Sequence, residues 1–315
     1  MRTEKLIYKR IFELFDLGEA MFKNIIRLIR PEHWVKNGFV LLPLFFDGRF
    51  LELTSLQSAI VALGAFCMAA SAIYCLNDII DIKSDRRHPV KCKRPIAAGY
   101  VPVMVAWILA ISLSSASLLL CLLIPKNQGT LMCVIGSYLI LNVAYSLRLK
   151  QVSIVDVFCL SLGFVLRVIA GGVATGTYLS HWIILMTFLL ALFLAFAKRR
   201  DDVVIYEATG EKMRKNVTQY NAHFINQVIG LIAGITMVAY VMYTVSPDVT
   251  RRLGTDYLYV TSVFVLAGLI RYLQIAIVDQ RSGSPTKILL KDRFIQLCIV
   301  GWVMCFVTII YLSKS

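Results

Sequence analysis

The sequence predicts an all-α protein, a polytopic membrane bundle of nine transmembrane helices with a cytoplasmic N-terminus. Three observations carry this prediction. Hydrophobic residues make up 58% of the 315 positions, and mean hydropathy is +0.72, whereas soluble domains average about 45–50% apolar residues. Lys and Arg concentrate in alternate connections between the apolar runs. Because no repeat, low-complexity segment or long linker interrupts the pattern, residues 1–315 are predicted to form a single integral-membrane domain.

Nine apolar runs approach the length that a helix needs to cross a bilayer, which is about 20 mainly apolar residues. They lie at 35–47, 54–77, 101–124, 130–147, 154–175, 181–197, 222–245, 257–278 and 294–312. The first run is short unless it begins within Lys23–Arg30, so its start stays open. Residues 1–30 mix charged with apolar side chains and contain no uninterrupted apolar core or cleavage site. They predict an amphipathic interfacial helix rather than a secretory signal.

The distribution of basic residues predicts the orientation of the bundle, since cytoplasmic connections carry an excess of Lys and Arg. Connections on the side of the N-terminus hold 27 of the 33 Lys and Arg residues, and the opposite side holds five. The sequence therefore predicts a bacterial-type inner or plasma membrane protein with an external C-terminus. The net charge of +14 suits anionic headgroups and anionic substrates, and no nucleic-acid partner is predicted.

An acidic segment, Asn77–Asp85, follows the second apolar run on the predicted cytoplasmic side. On a continuing helix, Asn77, Asp81 and Asp85 fall close to one face, with Asp78 beside them. Carboxylates this close repel each other unless a cation lies between them. Oxygen ligands favour a hard cation such as Mg²⁺, which usually binds through one or two carboxylates plus substrate phosphates. The alternative is a solvated acidic turn, but a basic run follows at once: Arg86, Arg87, Lys91, Lys93 and Arg94. We therefore predict an Mg²⁺–diphosphate platform with four candidate ligands: Asn77, Asp78, Asp81 and Asp85.

Other basic side chains share this predicted side of the membrane. Lys36, next to Asn37, opens the first span and either reaches toward headgroups or contacts a phosphate. The run Lys198–Asp202 is predicted to close the sixth span. It is either an ordinary positive-inside stop or a grip on phosphate, because Lys and Arg donors suit phosphate oxygens.

Arg167 lies deep within the fifth span, where a charged residue is costly and usually marks a pathway, a partner or a ligand. It follows Asp156 by about three helical turns and so lies on about the same face. A structural Arg–Asp pair and a ligand contact are the two alternatives for Arg167. Asp156 is either a helix N-terminal charge that favours the macrodipole or another acid of the site.

Cysteine and histidine chemistry is not predicted. The eight cysteines form no C-x-x-C pair, and all but Cys92 lie in apolar runs. The four histidines do not cluster. We therefore expect small core residues, with no zinc site, disulfide or histidine base.

The N-D-x-x-D-x-x-x-D motif of the acidic segment, after the second span of a nine-span chain, resembles the UbiA-type polyprenyl transferase superfamily. The resemblance extends along nearly the whole chain. Several tracts look more narrowly like decaprenyl-phosphate phosphoribosyltransferases: Arg30–Phe46, Tyr145–Lys150 with Asp156, Lys198–Arg200 and Ser284–Arg293. One departure supports this narrower resemblance. Aromatic prenyltransferases of the superfamily carry a second acidic motif, of the D-x-x-x-D type, after the sixth span, whereas here three bases precede two adjacent acids, Asp201 and Asp202.

The resemblance implies Mg²⁺-dependent transfer of a 5-phosphoribosyl group from phosphoribosyl diphosphate to a polyprenyl phosphate of the decaprenyl type, a step of cell wall biosynthesis. Asp78 and Asp81 would be the main metal ligands, and Asn77 and Asp85 would complete the catalytic platform. Tyr145 would hydrogen-bond the sugar or a phosphate. The other substrate-binding candidates are Lys36, Asn37, Lys93, Arg94, Lys150, Asp156, Arg167, Lys198 and Arg199. Because a polyprenyl phosphate is already anionic near pH 7, the reaction needs charge neutralisation and positioning rather than a strong base.

Two other functions stay open at this point. One is a prenyltransferase that moves an isoprenyl group from its diphosphate to an aromatic or other acceptor. The other is a cation-coupled transporter, whose charges should lie near the bilayer midplane on broken helices; here the acids are predicted at the cytoplasmic edge. A homo-oligomer and the lipid chain length are also left open.

Overall fold

The computed structural model describes residues 19–210, 215–280, 283 and 285–314, and all regular elements within them are helical. In chain order the α-helices are α1 (described from 19 to 29), α2 (Leu42–Phe46), α3 (Leu53–Ile80), α4 (Ile82–Asp85), α5 (Val103–Leu120), α6 (Gln128–Leu147), α7 (Val155–Thr175), α8 (His181–Thr209), α9 (Ala222–Thr244), α10 (Pro247–Leu253), α11 (Ser262–Ile277), α12 (Pro285–Lys291) and α13 (Arg293–Lys314). Six 3₁₀ helices complete this part of the chain: Pro31–Leu41, Lys91–Lys93, Cys121–Leu123, Leu149–Gln151, Lys215–Gln219 and Tyr257–Thr261.

Eight helices in the described part of the chain are long and apolar enough to cross a membrane. They are α3, α5, α6, α7, α8, α9, α11 and α13. Short 3₁₀ turns extend two of these spans, Cys121–Leu123 after α5 and Tyr257–Thr261 before α11. Each of the eight helices coincides with one of the predicted runs, from the second to the ninth. The all-α fold class is therefore confirmed, while the cytoplasmic position of the N-terminus remains a prediction.

The first predicted run, 35–47, does not form an α-helix of spanning length. Arg30 adopts a left-handed conformation with φ 53° and ends α1, and an 11-residue 3₁₀ helix, Pro31–Leu41, then continues into the five residues of α2. With a rise of about 2.0 Å per 3₁₀ residue and 1.5 Å per α residue, this segment is roughly 30 Å long. The segment has the length of a hydrocarbon core, but a ninth transmembrane helix remains a prediction.

Packing holds this first segment inside the bundle. The 3₁₀ helix Pro31–Leu41 lies against α3 and α7. Gly171 of α7 permits the close approach, since a Cβ atom added there would lie 1.9 Å from the carbonyl oxygen of Val40. The segment thus contributes side chains to the interior instead of lying at the periphery.

The predicted interfacial helix falls partly outside the described residues, which begin at 19. In α1, Met21, Phe22 and Ile26 are exposed, while Leu28 is fully buried against α3 and α5. Residues 19–29 are therefore an amphipathic helix. Their location at the membrane surface is still a prediction.

Helix α8 is longer than predicted, because it ends at Thr209 and not near 197. The run Lys198–Asp202 therefore lies on the helix and does not close it. Arg199 and Arg200 are both buried and find polar partners inside the bundle, so their charges do not terminate the helix. The helix ends instead at Gly210, whose φ of 71° is a common C-terminal conformation for glycine.

Two apolar clusters surround the interior polar residues. One joins α3, α6 and α7 around Phe66 and Ile135. The other joins α8, α9 and α11 around Phe193 and Ile229. Helix α7 packs on both α6 and α8, so it lies between the two clusters and carries polar side chains from its first turn to its middle.

Candidate functional site

Two acids of the acidic segment meet two arginines. One guanidinium nitrogen of Arg94, Nη1, donates to Asp78 Oδ1 at 3.2 Å and to Asp85 Oδ2 at 2.7 Å. Arg30 Nη2 also donates to Asp78 Oδ1, at 2.5 Å. Both carboxylates are almost fully buried, while the arginines keep partial exposure. The charges of this pair of acids are therefore balanced at the end of α3.

The other two polar side chains of the segment face the C-terminal end of α6. Lys150 Nζ donates to Asp81 Oδ1 at 2.6 Å, and the Ser146 hydroxyl donates to Asn77 Oδ1. Helix α3 ends at Ile80 and α4 begins at Ile82. The single face expected from the sequence is thus divided into two pairs. The division coincides with the break at Asp81, whose φ of −87° and ψ of 3° interrupt the helix, so the four side chains do not lie on one continuous helical face.

The segment has the oxygen donors that Mg²⁺ prefers. Asp78 Oδ2 is buried and has no hydrogen-bond partner in the described part of the chain, which is unusual for a buried carboxylate oxygen. A bound cation would satisfy it. Within the described residues, no three His, Cys, Asp or Glu side chains gather as a metal-binding group, so the carboxylates fit the metal as one or two direct ligands rather than as a closed protein cage.

Arg167 is buried in the middle of α7 and is held by neutral acceptors. Its Nε donates to Asn37 Oδ1 at 2.8 Å, Nη1 to the Gly163 carbonyl at 2.7 Å, and Nη2 to the Tyr138 hydroxyl at 3.1 Å. The guanidinium carbon also lies 4.9 Å from the centre of the Tyr138 ring and 5.6 Å from that of Phe66. These contacts orient the guanidinium but leave its positive charge uncompensated.

The structure excludes the predicted alternative of an Arg167–Asp156 pair. Asp156 Oδ2 accepts a hydrogen bond from Arg199 Nε at 2.6 Å, and both side chains are almost fully buried. Arg199 Nη1 also donates to Asp202 at 3.2 Å. Sharing a face of α7 does not bring Asp156 and Arg167 together, because the two lie three turns apart along the axis and α8 supplies a nearer cation.

A second cation lies near Arg167. Lys36 is half-buried and interacts electrostatically with both Arg167 and Arg30. Its neighbour Asn37 is fully buried and donates to Cys67 Sγ at 3.2 Å while accepting from Arg167. Lys36, Arg30 and Arg167 therefore form a cationic group that extends inward from the acidic segment. An anion between them would gain from all three charges.

The remaining predicted substrate-binding residues differ in exposure. Lys93 and Lys198 are exposed, and Lys198 interacts electrostatically with His33. Tyr145 is half-buried and lies within electrostatic reach of Arg199. Because Arg199 is buried and paired with two carboxylates, we interpret it as a structural residue, a role that neither alternative for its run included.

Sequence reasoning missed four side chains that organise the site. Arg30 binds Asp78, Ser146 binds Asn77, Tyr138 binds Arg167, and Tyr220 accepts a hydrogen bond from the Ile154 amide. Arg30 had a signal, because it directly precedes Pro31 on the same predicted side as the acids. Tyr138 and Tyr220 had none, since an isolated tyrosine near an apolar run is ordinary.

Comparisons with known proteins point to the family that the acidic motif resembles. Residues 49–298 match the model of the UbiA prenyltransferase family. The chain is 35% identical to the decaprenyl-phosphate phosphoribosyltransferase of Corynebacterium glutamicum, over 92% of this chain and 87% of that protein. It is also 35% identical to the decaprenyl-phosphate phosphoribosyltransferase of Mycolicibacterium smegmatis, over 93% and 94% of the two chains.

Solved structures share the fold at lower sequence identity. A UbiA homolog from Archaeoglobus fulgidus bound to DMAPP and Mg²⁺ superposes with a TM-score of 0.68 at 20% identity, covering 91% of this chain and 99% of that chain. The same protein bound to GPP and Mg²⁺ gives a TM-score of 0.67 at 19% identity, covering 92% and 99%. The helical arrangement described above is therefore that of known UbiA homologs.

Proposed function

The chain belongs to the UbiA prenyltransferase family, and from this premise we propose that it transfers a 5-phosphoribosyl group from phosphoribosyl diphosphate to a polyprenyl phosphate of the decaprenyl type. The relatives named above support this acceptor and this transferred group. One structural observation carries the choice of donor. Arg167, a buried cation without a carboxylate among its hydrogen-bond partners, lies inward of an acidic segment that is already lined by arginines.

Phosphoribosyl diphosphate carries two separate anionic groups, and the site offers two separate sets of partners. The diphosphate would lie at the acidic segment, near Arg30 and Arg94. The sugar 5-phosphate would bind near Arg167 and Lys36, where positive charge exceeds negative charge. Guanidinium forks are well suited to phosphate oxygens. An isoprenyl diphosphate has no phosphate group apart from its diphosphate and would leave this inner group unused.

Mg²⁺ would be held by Asp78 and Asp81, with Asn77 and Asp85 completing the platform, and it supplies charge neutralisation to the leaving diphosphate. Asp78 has the most direct support because its Oδ2 atom is buried and unpartnered. Arg30 and Arg94 hold the acids in place by hydrogen bonds. Lys150, which binds Asp81, would orient a diphosphate oxygen.

The transfer requires no protein base. An oxygen of the acceptor phosphate forms a bond to the anomeric carbon of the ribosyl group, and the bond from that carbon to the diphosphate breaks with its electron pair leaving on the diphosphate. The acceptor oxygen is already anionic near pH 7. The protein therefore contributes binding and orientation, through Lys36, Arg167, Tyr145 and the exposed bases Lys93 and Lys198. Such positioning supplies a large part of the rate enhancement in two-substrate reactions.

The deciding experiment is an assay of purified protein in detergent with labelled phosphoribosyl diphosphate or labelled isoprenyl diphosphate, each with decaprenyl phosphate and with an aromatic acceptor. We expect product only from phosphoribosyl diphosphate with the lipid phosphate, in the presence of Mg²⁺. Asp78→Asn should abolish turnover while the protein remains folded. Asp256→Asn, the same change at an exposed acid outside the site, is the matched control and should retain activity.

Two outcomes would overturn the proposal. Near wild-type turnover by Asp78→Asn would contradict the metal platform. Turnover of an isoprenyl diphosphate alone would favour the alternative prenyltransferase, whose donor class is the one present in the archaeal homolog structures.

We also propose that the site faces the cytoplasm, on the evidence of the Lys and Arg distribution. Single cysteines at Lys93 and Lys126 should then react with an impermeant thiol reagent from opposite sides of the membrane, in a background without native cysteines. Labelling of both positions from one side would contradict this orientation.

A further inference from the structure

The connection between α6 and α7 contains a strained turn at Ile154. Its φ of 67° and ψ of −51° lie outside the regions that a β-branched residue normally adopts. The Val155 amide donates to the Ser153 carbonyl at 2.7 Å, which closes a γ-turn of the rare, strained kind. A conformation of this sort persists only where the surroundings hold it.

Tyr220 provides that hold from a distant part of the chain. The Ile154 amide donates to the Tyr220 hydroxyl at 2.5 Å. Tyr220 is 8% exposed, and its ring packs against Phe196 and Phe224 with centroid distances of 6.4 and 6.2 Å. The hydroxyl is therefore fixed by the packing of its own ring, and the amide of the strained turn is bound to a rigid acceptor.

The same hydroxyl retains a proton for a second contact. It lies beside Asp156. Asp156 Oδ2 is bound to Arg199, whereas the buried Oδ1 has no hydrogen-bond partner within the residues that the structure describes. A tyrosine hydroxyl can accept one hydrogen bond and donate another. Burial raises the pKa of Tyr220, so the proton is present throughout the neutral range. Donation to Asp156 would join Arg199, Asp156, Tyr220 and the strained turn in one chain of contacts.

The turn is connected directly to a residue of the proposed site. The 3₁₀ helix Leu149–Gln151 carries Lys150 and is followed by only three residues before α7 begins. Lys150 Nζ lies 2.6 Å from Asp81. At the other end of the connection, the Asp156 amide donates to the Val152 carbonyl at 3.1 Å. Movement of the turn would therefore move Lys150.

We infer that Tyr220 is a positioning residue, whose hydroxyl holds the strained turn at Ile154 and thereby sets Lys150 against Asp81. This inference rests on the proposed function for the role of Lys150 toward the diphosphate. It adds Tyr220, which lies some 70 positions after Lys150 in the connection between α8 and α9, to the residues that determine donor binding.

The test compares Tyr220→Phe with Tyr272→Phe in the full-length protein. Tyr272 is also buried, but its hydroxyl has no hydrogen-bond partner among the described residues, so its removal controls for the loss of a buried hydroxyl. Loss of one hydrogen bond predicts a roughly three- to tenfold rise in the KM for phosphoribosyl diphosphate for Tyr220→Phe, with kcat changed less. Tyr272→Phe should leave both parameters unchanged.

Two further variants distinguish an effect on the position of Lys150 from a general loss of stability. In a Lys150→Met background, Tyr220→Phe should have little further effect on KM, because the residue through which it acts is already gone. Ile154→Gly should restore KM in the Tyr220→Phe protein, because glycine adopts positive φ without strain. Independent effects of Tyr220→Phe and Lys150→Met, or no rescue by Ile154→Gly, would overturn the inference.

The link between Tyr220 and Lys150 can be tested even if the proposed function is wrong. The same Tyr220–Lys150 double-mutant cycle can be measured by thermal melting in detergent without any substrate. If the wild-type protein does not bind phosphoribosyl diphosphate, the proposed function is wrong, and non-additive melting shifts would still support the mechanical link between Tyr220 and Lys150. Additive shifts would contradict that link.

Discussion

Arg167 and Arg199 are both buried arginines, but they meet opposite surroundings. Arg199, on α8, is bound to the carboxylates of Asp156 and Asp202. Arg167, on α7, is bound to an amide, a backbone carbonyl and a phenol. The first is neutralised within the protein, and the second keeps its charge in the bundle interior.

The difference separates a structural ion pair from a candidate ligand-binding cation. A buried charge is expensive unless it is paired, so an unpaired one persists where it has a use. Neutral acceptors fix the direction of the Arg167 guanidinium without competing for its charge. By contrast, the Arg199 guanidinium would have to break two carboxylate contacts before it could bind a phosphate.

Breaking the Arg199 pair should give the largest effect on stability. Asp156→Asn removes the closest carboxylate from a buried guanidinium, and loss of one partner of a buried ion pair typically costs about 3–5 kcal/mol. Asp202 remains near Arg199, so we expect the lower end of that range. Thermal melting in detergent measures it.

The double variant Asp156→Asn with Arg199→Met supplies the control for this prediction. It should recover much of the lost stability, because no buried cation is left without its partner. Equal melting temperatures for wild type and Asp156→Asn would show that the pair has no structural role.

Removing Arg167 should affect donor use more than stability. A hydrogen bond to a charged group is worth about 1.5–3 kcal/mol, so Arg167→Met should lower kcat/KM for phosphoribosyl diphosphate roughly ten- to a hundredfold. Its former partners are neutral, so the melting temperature should fall less than for Asp156→Asn. Steady-state kinetics and direct donor binding measure the first effect.

Arg200 offers a matched control for Arg167. It is equally buried on α8 and its guanidinium is bound to neutral groups, Asn226 at 2.7 Å and the Ile277 carbonyl at 3.3 Å. It lies away from the acidic segment, between α8, α9 and α11. Arg200→Met should therefore match Arg167→Met in its effect on melting but leave donor affinity unchanged. If both variants lose donor affinity equally, Arg167 has no specific role in donor binding.

Arg271 and Asp292 form a third pair, which is only partly buried and should give the smallest effect. The hydrogen bond from Arg271 Nη2 to Asp292, at 2.8 Å, is the main reason that the pKa of Asp292 is lowered. A carboxyl whose pKa is lower in the folded state stabilises the fold above its unfolded value, near 3.9, and loses that contribution as pH falls through the folded value.

Melting curves between pH 6 and pH 3 test this third pair. Asp292→Asn should remove a small part of the fall in melting temperature at acid pH. Added salt should reduce the difference from wild type, because ion pairs open to solvent are screened. If the melting temperature falls equally with pH in wild type and in Asp292→Asn, Asp292 does not contribute to acid sensitivity and the prediction is wrong.

The spanning helices could be predicted closely from the sequence, apart from two boundaries. The run 35–47 formed a 3₁₀ helix and a short α-helix, and α8 extended past Lys198 to Thr209. The extension of α8 has its origin in tertiary packing. Hydropathy describes the average environment of a segment, whereas the buried Arg199 and Arg200 are tolerated in α8 because other helices supply individual polar partners.

The sequence by itself determined the apolar periodicity, the uneven distribution of bases and the position of the acidic segment, because these are properties of short stretches of chain. Tertiary structure decided which charges meet. Helical spacing placed Asp156 and Arg167 on one face of α7, but a face does not specify the helix that packs against it. Only the packing of α7 against α8 assigned Asp156 to Arg199, and only the 3₁₀ helix at Asn37 provided Arg167 with a neutral partner, leaving its charge in the interior.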